Sequence, residues 1–224
     1  YTKIYDLLKD REGNIWVSAD NKLLISPGEK VEIIHENDKY SFDSIQAITS
    51  DADGYIWFST KNGLFRYNYT APENQNLKKF DVLKKKNLHI VSLFEDDWGF
   101  LWIGTFDDGL YRLNTLNGEV MSFGEKSGLA NANVISISGH DNKLWLATLG
   151  GIISCDIIED SKIPGKLYYK FSRPDDFSDP GEVFVYNVFI DSKNRVWFGT
   201  DGKGLSMYEN GKFKSFSNFD NGRG

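Results

Sequence analysis

The chain has 224 residues, of which 40% are hydrophobic, 26% charged and 15% aromatic, with 21 Gly but only 5 Pro. Its apolar runs are short pieces such as Ile152–Ile153, far below the roughly 20 residues a membrane-spanning helix needs. The formal net charge of −6 argues against a nucleic-acid partner, because phosphate affinity comes from Lys and Arg displacing counterions, and the single Cys155 excludes an internal disulfide framework or a cysteine-rich metal site.

Many aromatics and glycines with few prolines favour an all-β protein with tight turns, and such a chain is searched first for repeats. Five tryptophans share one local context: Trp16, Trp57, Trp102, Trp145 and Trp197, at spacings of 41, 45, 43 and 52 residues. In chain order the contexts read DREGNIWVSADNKLLIS, DADGYIWFSTKNGLFRYN, DDWGFLWIGTFDDGLYRLN, HDNKLWLATLGGIISCD and DSKNRVWFGTDGKGLSMYEN. The shared formula is an apolar strand, Asp-x-x-Gly, apolar-Trp-apolar, a small residue with Thr, a polar turn, Gly-Leu and a further strand.

Each part has a physical reading. Ile45–Ser50, Ile90–Glu95, Val134–Ser138 and Val185–Ile190 are rich in β-branched and aromatic residues and read as first strands. Asp-x-x-Gly supplies the next turn, with Asp bonding its own backbone and Gly accepting positive φ. The tryptophan strand follows, its ring large enough to fill the space between neighbouring sheets. Third strands are Leu64–Asn68 and Leu110–Asn114; fourth strands are Lys79–Val82, Glu119–Phe123, Leu167–Phe171 and Lys212–Ser217. Four antiparallel strands in about 45 residues is the size of a propeller blade, and one such sheet cannot bury both faces alone.

The expected fold is therefore all-β: five four-stranded antiparallel propeller blades in one segment, residues 1–224, divided near 1–41, 42–86, 87–130, 131–182 and 183–224. Repeat 1 lacks the Thr and turn Gly (Ser18-Ala19-Asp20-Asn21-Lys22), and repeat 4 lacks the Asp-x-x-Gly glycine. The long last interval holds an insertion, Glu159–Glu182, with Pro164, Pro174 and Pro180, expected as a surface loop. The array runs from a first strand to a fourth and shares no blade between its ends. The chain thus reads as five blades of a larger ring, in preference to a closed five-bladed domain, cut from a longer protein that carries its targeting signal elsewhere.

The formula D-x-x-G-x-[IL]-W-[IVF]-G-T-x-x-G-L-x-x-[YF]-[ND] resembles the two-component regulator propeller repeat, most closely at residues 93–114 and 48–68. Gly128-Leu129-Ala130-Asn131-Ala132-Asn133-Val134 is similar to the Gly-Leu-Pro-x-Asn-x-Val that opens a blade in that family. The resemblance implies that the larger ring is a seven-bladed propeller and that it belongs to the periplasmic sensor half of a hybrid two-component system. It also implies an oligosaccharide signal, a homodimeric full-length protein, and partners in the remaining blades and signalling modules, with any kinase activity outside this chain.

The residues offer little catalytic chemistry. His35, His89 and His140 are not at metal-ligand spacing, no G-x-S-x-G nucleophile motif occurs, and no metal or cofactor is expected. A histidine-dependent propeller lyase or a glycoside hydrolase is the enzyme alternative, and a protein-interaction scaffold is the third reading. Asp96-Asp97 and Asp51–Gly54 read as turns, Asp175-Asp176 as part of the insertion, and the lysines 78, 79 and 84–86 as a solvated loop, although Lys79 also opens the expected fourth strand. In a propeller the turns from second to third strand share one face with the linkers into first strands. That face makes Lys61, Asn62, Phe106, Asp107, Asp108, Asn131, Asn133, Asp201 and Lys203 the candidate ligand contacts, with Phe106 as a stacking plane for a sugar. Trp98, outside the repeated position, is expected to be part-exposed on the opposite face and to serve a contact surface. Arg66 and Arg112 read as structural, and Cys155 as a small buried hydrophobe.

Overall fold

The computed structural model describes residues 3–28, 30–34, 42–72, 75–80, 88–174, 183–202 and 204–216. His35, the lysines 84–86, Asp175-Asp176 and Lys203 lie outside the described residues.

Five four-stranded sheets follow one another along the chain, each meandering in sequence order. The first comprises β1 (Ile4–Lys9), β2 (Ile15–Ala19), β3 (Lys22–Ser26) and β4 (Glu32–Ile34). The second comprises β5 (Ile48–Ser50), β6 (Ile56–Thr60), β7 (Gly63–Tyr67) and β8 (Leu77–Phe80). The third comprises β9 (Ile90–Glu95), β10 (Phe100–Thr105), β11 (Leu110–Asn114) and β12 (Val120–Phe123). The fourth comprises β13 (Val134–His140), β14 (Lys143–Thr148), β15 (Gly151–Glu159) and β16 (Leu167–Ser172). The fifth comprises β17 (Val185–Ile190), β18 (Val196–Thr200), β19 (Gly204–Glu209) and β20 (Lys212–Phe216). Apart from these strands, the described residues contain one short 3-10 turn, Glu125–Ser127. The chain divides into two compact units, residues 1–103 with 112–121 and residues 104–111 with 122–224.

Two sequence expectations need correction. β5 starts at Ile48, three residues after the expected Ile45, because Gln46 and Ala47 bond to Ser59 outside a regular ladder: Gln46 N donates to Ser59 O and Ser59 N to Ala47 O, both at 3.0 Å. The stretch from Glu159 is not one long loop. β15 runs on to Glu159, which pairs with Leu167, so residues 160–166 form the connection, and β16 is the fourth strand expected at Leu167–Phe171. Where the turn glycine is missing from repeat 1, Asp20 takes the left-handed conformation itself, at φ 50°. Asn194 does the same at φ 58° in the fifth repeat. Asp and Asn enter that region more readily than other side chains with a Cβ.

Within the first unit, Trp16, Leu23 and Ile25 of the first sheet share a buried cluster with Ile48, Ile56, Phe58 and Phe65 of the second. The Trp16 ring meets Tyr67 edge-on at 6.1 Å and Tyr69 at 6.0 Å. Within the second unit, Trp145 and Ala147 cluster with Val185, Val188, Val196 and Phe198, and Trp145 lies 4.7 Å from Tyr208. The tryptophan strand thus fills the gap between sheets, as its large aromatic suggests. Polar side chains on the first strands add to these seams. Asp6 Oδ2 accepts from Ile48 N at 2.9 Å and Ser136 Oγ from Val188 N at 3.3 Å, each just after a register irregularity in its strand.

Candidate functional site

The two ends of each sheet are built differently. At one end lies the Asp-x-x-Gly turn. Asp51 Oδ1 accepts from Asp53 N at 3.1 Å and Tyr55 N at 2.8 Å, while Gly54 N donates to Asp51 O. The other carboxylate oxygen accepts the indole N–H of Trp57 at 2.7 Å. The same side-chain bond joins Asp10 to Trp16 at 2.8 Å, Asp96 to Trp102 at 2.6 Å and Asp191 to Trp197 at 2.9 Å. One aspartate therefore orders the turn and satisfies the polar edge of a ring otherwise sealed in the core. Arg195 and Trp197 hold the Asp191 carboxyl well below the usual carboxylate range. Trp98 sits in this kind of turn at 38% exposure, its N–H donating to Asp96 Oδ1 at 3.0 Å. Arg66 belongs to this end, with its guanidinium 4.1 Å from the centre of the Tyr55 ring.

At the opposite end the turns between second and third strands meet the lead-in segments. The repeated Thr fixes these turns: Thr105, Thr148 and Thr200 hydroxyls donate to the carbonyls of Gly109, Gly151 and Gly204 at 2.7–2.8 Å. In the second unit the Phe106-Asp107-Asp108 turn is tied to the Asn131–Asn133 segment. Gly109 N donates to Ala132 O at 2.8 Å, and Asp107 N to Asn133 Oδ1 at 3.1 Å. Asn131 Oδ1 in turn accepts from Asn133 N at 2.8 Å. Glycine is required twice here. A Cβ on Gly109 would stand 2.5 Å from Phe123 O, and one on Gly150 would stand 2.8 Å from Asn131 Nδ2. Asp107 is exposed at φ 70°, Asp108 accepts from the Tyr111 hydroxyl at 2.8 Å, and Phe106 is 40% exposed. Burial and that bond push the Tyr111 phenol up to about 12, so it stays a neutral donor. Asp201 is exposed, its N–H bonded to Phe184 O at 2.8 Å.

In the first unit the exposed Lys61 and Asn62 form the β6–β7 turn, where Asn62 N donates to Thr60 Oγ1 at 3.0 Å. A pocket of about 300 Å³ opens beside them, lined by Gln46, Thr60, Lys61, Leu88, His89 and Ile90. Leu88 and Ile90 are buried and apolar, whereas Lys61 and His89 are exposed. Behind them Ser59 Oγ accepts from Ala47 N at 3.1 Å and donates to Ile90 O at 3.2 Å, so the wall is fixed by hydrogen bonds. A hydrogen-bonding rim over an apolar floor can hold one sugar-sized ring, and the volume is at the lower limit of ordinary ligand pockets. Of the lining residues, only Lys61 was expected from the sequence. Gln46 and His89 were missed because they lie in lead-in segments with no repeated motif, although the Asn131/Asn133 positions of the fourth repeat pointed to that segment type.

Among the described residues, the remaining titratable groups do not build a nucleophilic centre. His140 is exposed in the β13–β14 turn, its Nε2 3.7 Å from Asp141 Oδ2. Cys155 is fully buried, and burial pushes its thiol up to about 12, out of reach of thiolate chemistry at neutral pH. No described helix is long and apolar enough to cross a membrane.

Comparison with known proteins agrees with this geometry. The two-component regulator propeller family matches the chain four times, at residues 1–21, 39–62, 85–107 and 179–202. A protein of Formosa agariphila named Histidine kinase P4 is 28% identical over 182 residues, which is 75% of this chain and 12% of that protein. The extracellular domain of a hybrid two component system from B. thetaiotaomicron superposes with a TM-score of 0.73 at 20% identity, over 96% of this chain and 29% of that one. Virginiamycin B lyase from Staphylococcus aureus superposes with a TM-score of 0.70 at 16% identity, over 97% and 71%. The fold is therefore that of β-propeller blades, and the chain spans about one-eighth of the curated relative and under a third of the two-component domain.

Proposed function

Since four segments of this chain match the two-component regulator propeller family, we propose that it is a non-enzymatic sensor segment of a hybrid two-component system. It lies in the periplasm and recognises an oligosaccharide, or relays its binding, to a cytoplasmic histidine kinase carried elsewhere in the same protein. The observation that carries the reading is the fourfold repeat match, and the named histidine kinase relative, of which this chain corresponds to a small part, supports it. The chain's turn-and-linker end supports the ligand class: exposed Lys61 and Asn62 beside the pocket in one unit, and Phe106, Asp107, Asp108, Asn131, Asn133 and Asp201 in the other.

The residues 1–224 form one propeller segment, and its further partners are the remaining blades of the same protein. Strand parity supports this. Leu8, Trp16 and Ile34 turn toward the second sheet, so Leu7 (64% exposed), Ile15 (40%) and Ile33 (42%) point from the opposite face of the first. Such a row of apolar side chains suits another blade. Trp98 is the proposed contact for the homodimer of the full-length protein.

The test is calorimetric titration of this chain with a panel of oligosaccharides, followed by analysis of each sugar for cleavage. Saturable binding of one oligosaccharide without turnover, weakened by Lys61→Ala or Asp108→Ala with the circular-dichroism spectrum unchanged, is the expected result. Cleavage of any sugar would replace the sensor with an enzyme. Failure of every oligosaccharide to bind would remove the carbohydrate signal from these blades.

A further inference from the structure

Four sheets close the tryptophan N–H with an aspartate, and the fourth sheet breaks the pattern. Its β13 and β14 join through the two-residue turn Asp141-Asn142, with His140 paired to Lys143, whereas residues 10–14 separate the paired Lys9 and Ile15 in the first sheet. Counted along the ladder from the residue opposite the tryptophan (Leu8, Ser138 or Phe189), His140 stands where Asp10 and Asp191 stand in the first and fifth sheets. The Trp145 N–H has no hydrogen-bond partner among the described residues.

The fifth sheet shows what this position holds. Arg195, two residues before Trp197, donates from Nε to Asp191 Oδ2 at 2.7 Å, and the Trp197 N–H reaches the same oxygen at 2.9 Å. The fourth sheet keeps both donors, as Lys143 and Trp145, without the carboxylate between them. Lys143 Nζ lies 3.1 Å from Asp156 Oδ1, in an ion pair whose side chains are 39% and 40% exposed. Pairs that open to solvent contribute little and exchange partners readily.

A pocket of about 410 Å³ has Lys143 and Trp145 in its lining. It exists because the residue paired with Trp145 is Ser154, where Trp57 faces Arg66, Trp16 faces Ile25 and Trp197 faces Met207. Ser154 in turn faces Ser172, their hydroxyl oxygens 3.0 Å apart, so a row of short side chains leaves the sheet surface open. The far wall is aromatic: Tyr208 and Phe213 line it, their ring centres 4.9 Å apart. Arg173 adds a second cation to the lining.

We propose that this pocket binds a small organic carboxylate, whose oxygen accepts from the Trp145 N–H and Lys143 in the place an aspartate fills in the other four sheets. The body of the ligand is a single ring lying against Tyr208 and Phe213, since the volume is near the low end for ligand pockets. A sugar acid and an aromatic acid share this chemistry. The inference rests on the fourth and fifth sheets alone and stands whether or not the chain senses an oligosaccharide.

The experiment follows the indole N–H resonances of the 15N-labelled chain during titration with sodium glucuronate and sodium benzoate, with glucose and matched sodium chloride as controls. Trp145→Phe identifies the resonance. The expected result is a saturable shift of that resonance alone with at least one carboxylate, and none with glucose or chloride. A response to glucuronate but not benzoate assigns a sugar acid, and the reverse an aromatic acid. Ser154→Arg, which restores the side chain found opposite Trp57, is expected to weaken binding at least tenfold. His140→Asp is expected to move the resonance without ligand and to abolish the response. The other indole resonances report whether each variant remains folded. A Trp145 resonance unmoved by both carboxylates, or moved equally in the Ser154→Arg protein, overturns the proposal.

Discussion

Trp16 and Trp145 hold the same place in the repeat, and both are buried against the sheet that follows, at 0% and 4% exposure. Trp16 has its N–H closed by Asp10 at 2.8 Å, and its ring is packed by Tyr67 and Tyr69. Trp145 packs comparably on Phe198 and Tyr208, yet no aspartate reaches it, and the space beside it stays open. Packing of the ring and closure of its polar edge are therefore separate jobs in this repeat. The first is done by the neighbouring sheet and the second by the turn. A repeat can drop the aspartate and keep its fold because the ring stays packed by the neighbouring sheet without it.

The largest effect should come from truncating the rings themselves. Trp16→Ala is expected to destabilise the chain by about 4–5 kcal/mol and Trp145→Ala by about 3 kcal/mol, both within the range for large aromatic deletions. The first change also leaves the buried Asp10 carboxylate without one of its donors. Urea unfolding of both variants measures the difference. Equal losses would mean that the aspartate bond adds nothing to the packing.

Removing only the polar partner sharpens the contrast. Asp51→Ala deletes the acceptor of Asp53 N, Tyr55 N and the Trp57 N–H together, and an expected loss of about 2–3 kcal/mol follows from stranding the buried indole N–H and undoing two turn bonds. His140→Ala touches an exposed side chain at the equivalent end of the fourth sheet and should stay within about 0.5 kcal/mol. Thermal unfolding of the pair gives the comparison directly. A His140 variant as damaging as the Asp51 variant would show that the histidine does the aspartate's job.

Much of this was legible in the residues. The five tryptophan contexts, the Asp-x-x-Gly turns and the Thr-to-Gly turns marked the five sheets, since each local choice agrees with the others. The contribution of Asp51 to its own turn was legible too. Its bond to Trp57 was not, because a spacing of six residues brings the two side chains together only once a hairpin closes. The open space beside Ser154 was hidden for a related reason. That Ser154 faces Trp145 depends on the cross-strand register, and one short turn shifts a register by several residues. The pocket beside Lys61 was only half visible: the turn residue carried a motif, whereas Gln46 and His89 come from linkers whose sequence does not repeat.

The smallest effect tests the Asp-x-x-Gly end of the first unit through its charge. Glu95, at the end of β9, is half-buried, and burial together with the Asp51 and Asp53 carboxylates raises its carboxyl to about 7 despite a bond from Ala52 N–H and the Arg11 guanidinium. Arg11 is held there by its own bond to Ala52 O at 3.0 Å. A carboxyl whose folded value is raised binds its proton more tightly in the native state than in the unfolded one. Its contribution is therefore favourable below the ordinary carboxylate range and is lost as pH rises through about 7. Glu95→Gln should then leave stability unchanged near pH 4 and raise it near pH 8 by about 1 kcal/mol, a modest gain because water screens a half-exposed group. Urea midpoints at the two pH values give the answer. A gain of the same size at both would trace the effect to packing, and Asp51, with its fixed place under Trp57, would no longer be the charge that Glu95 feels.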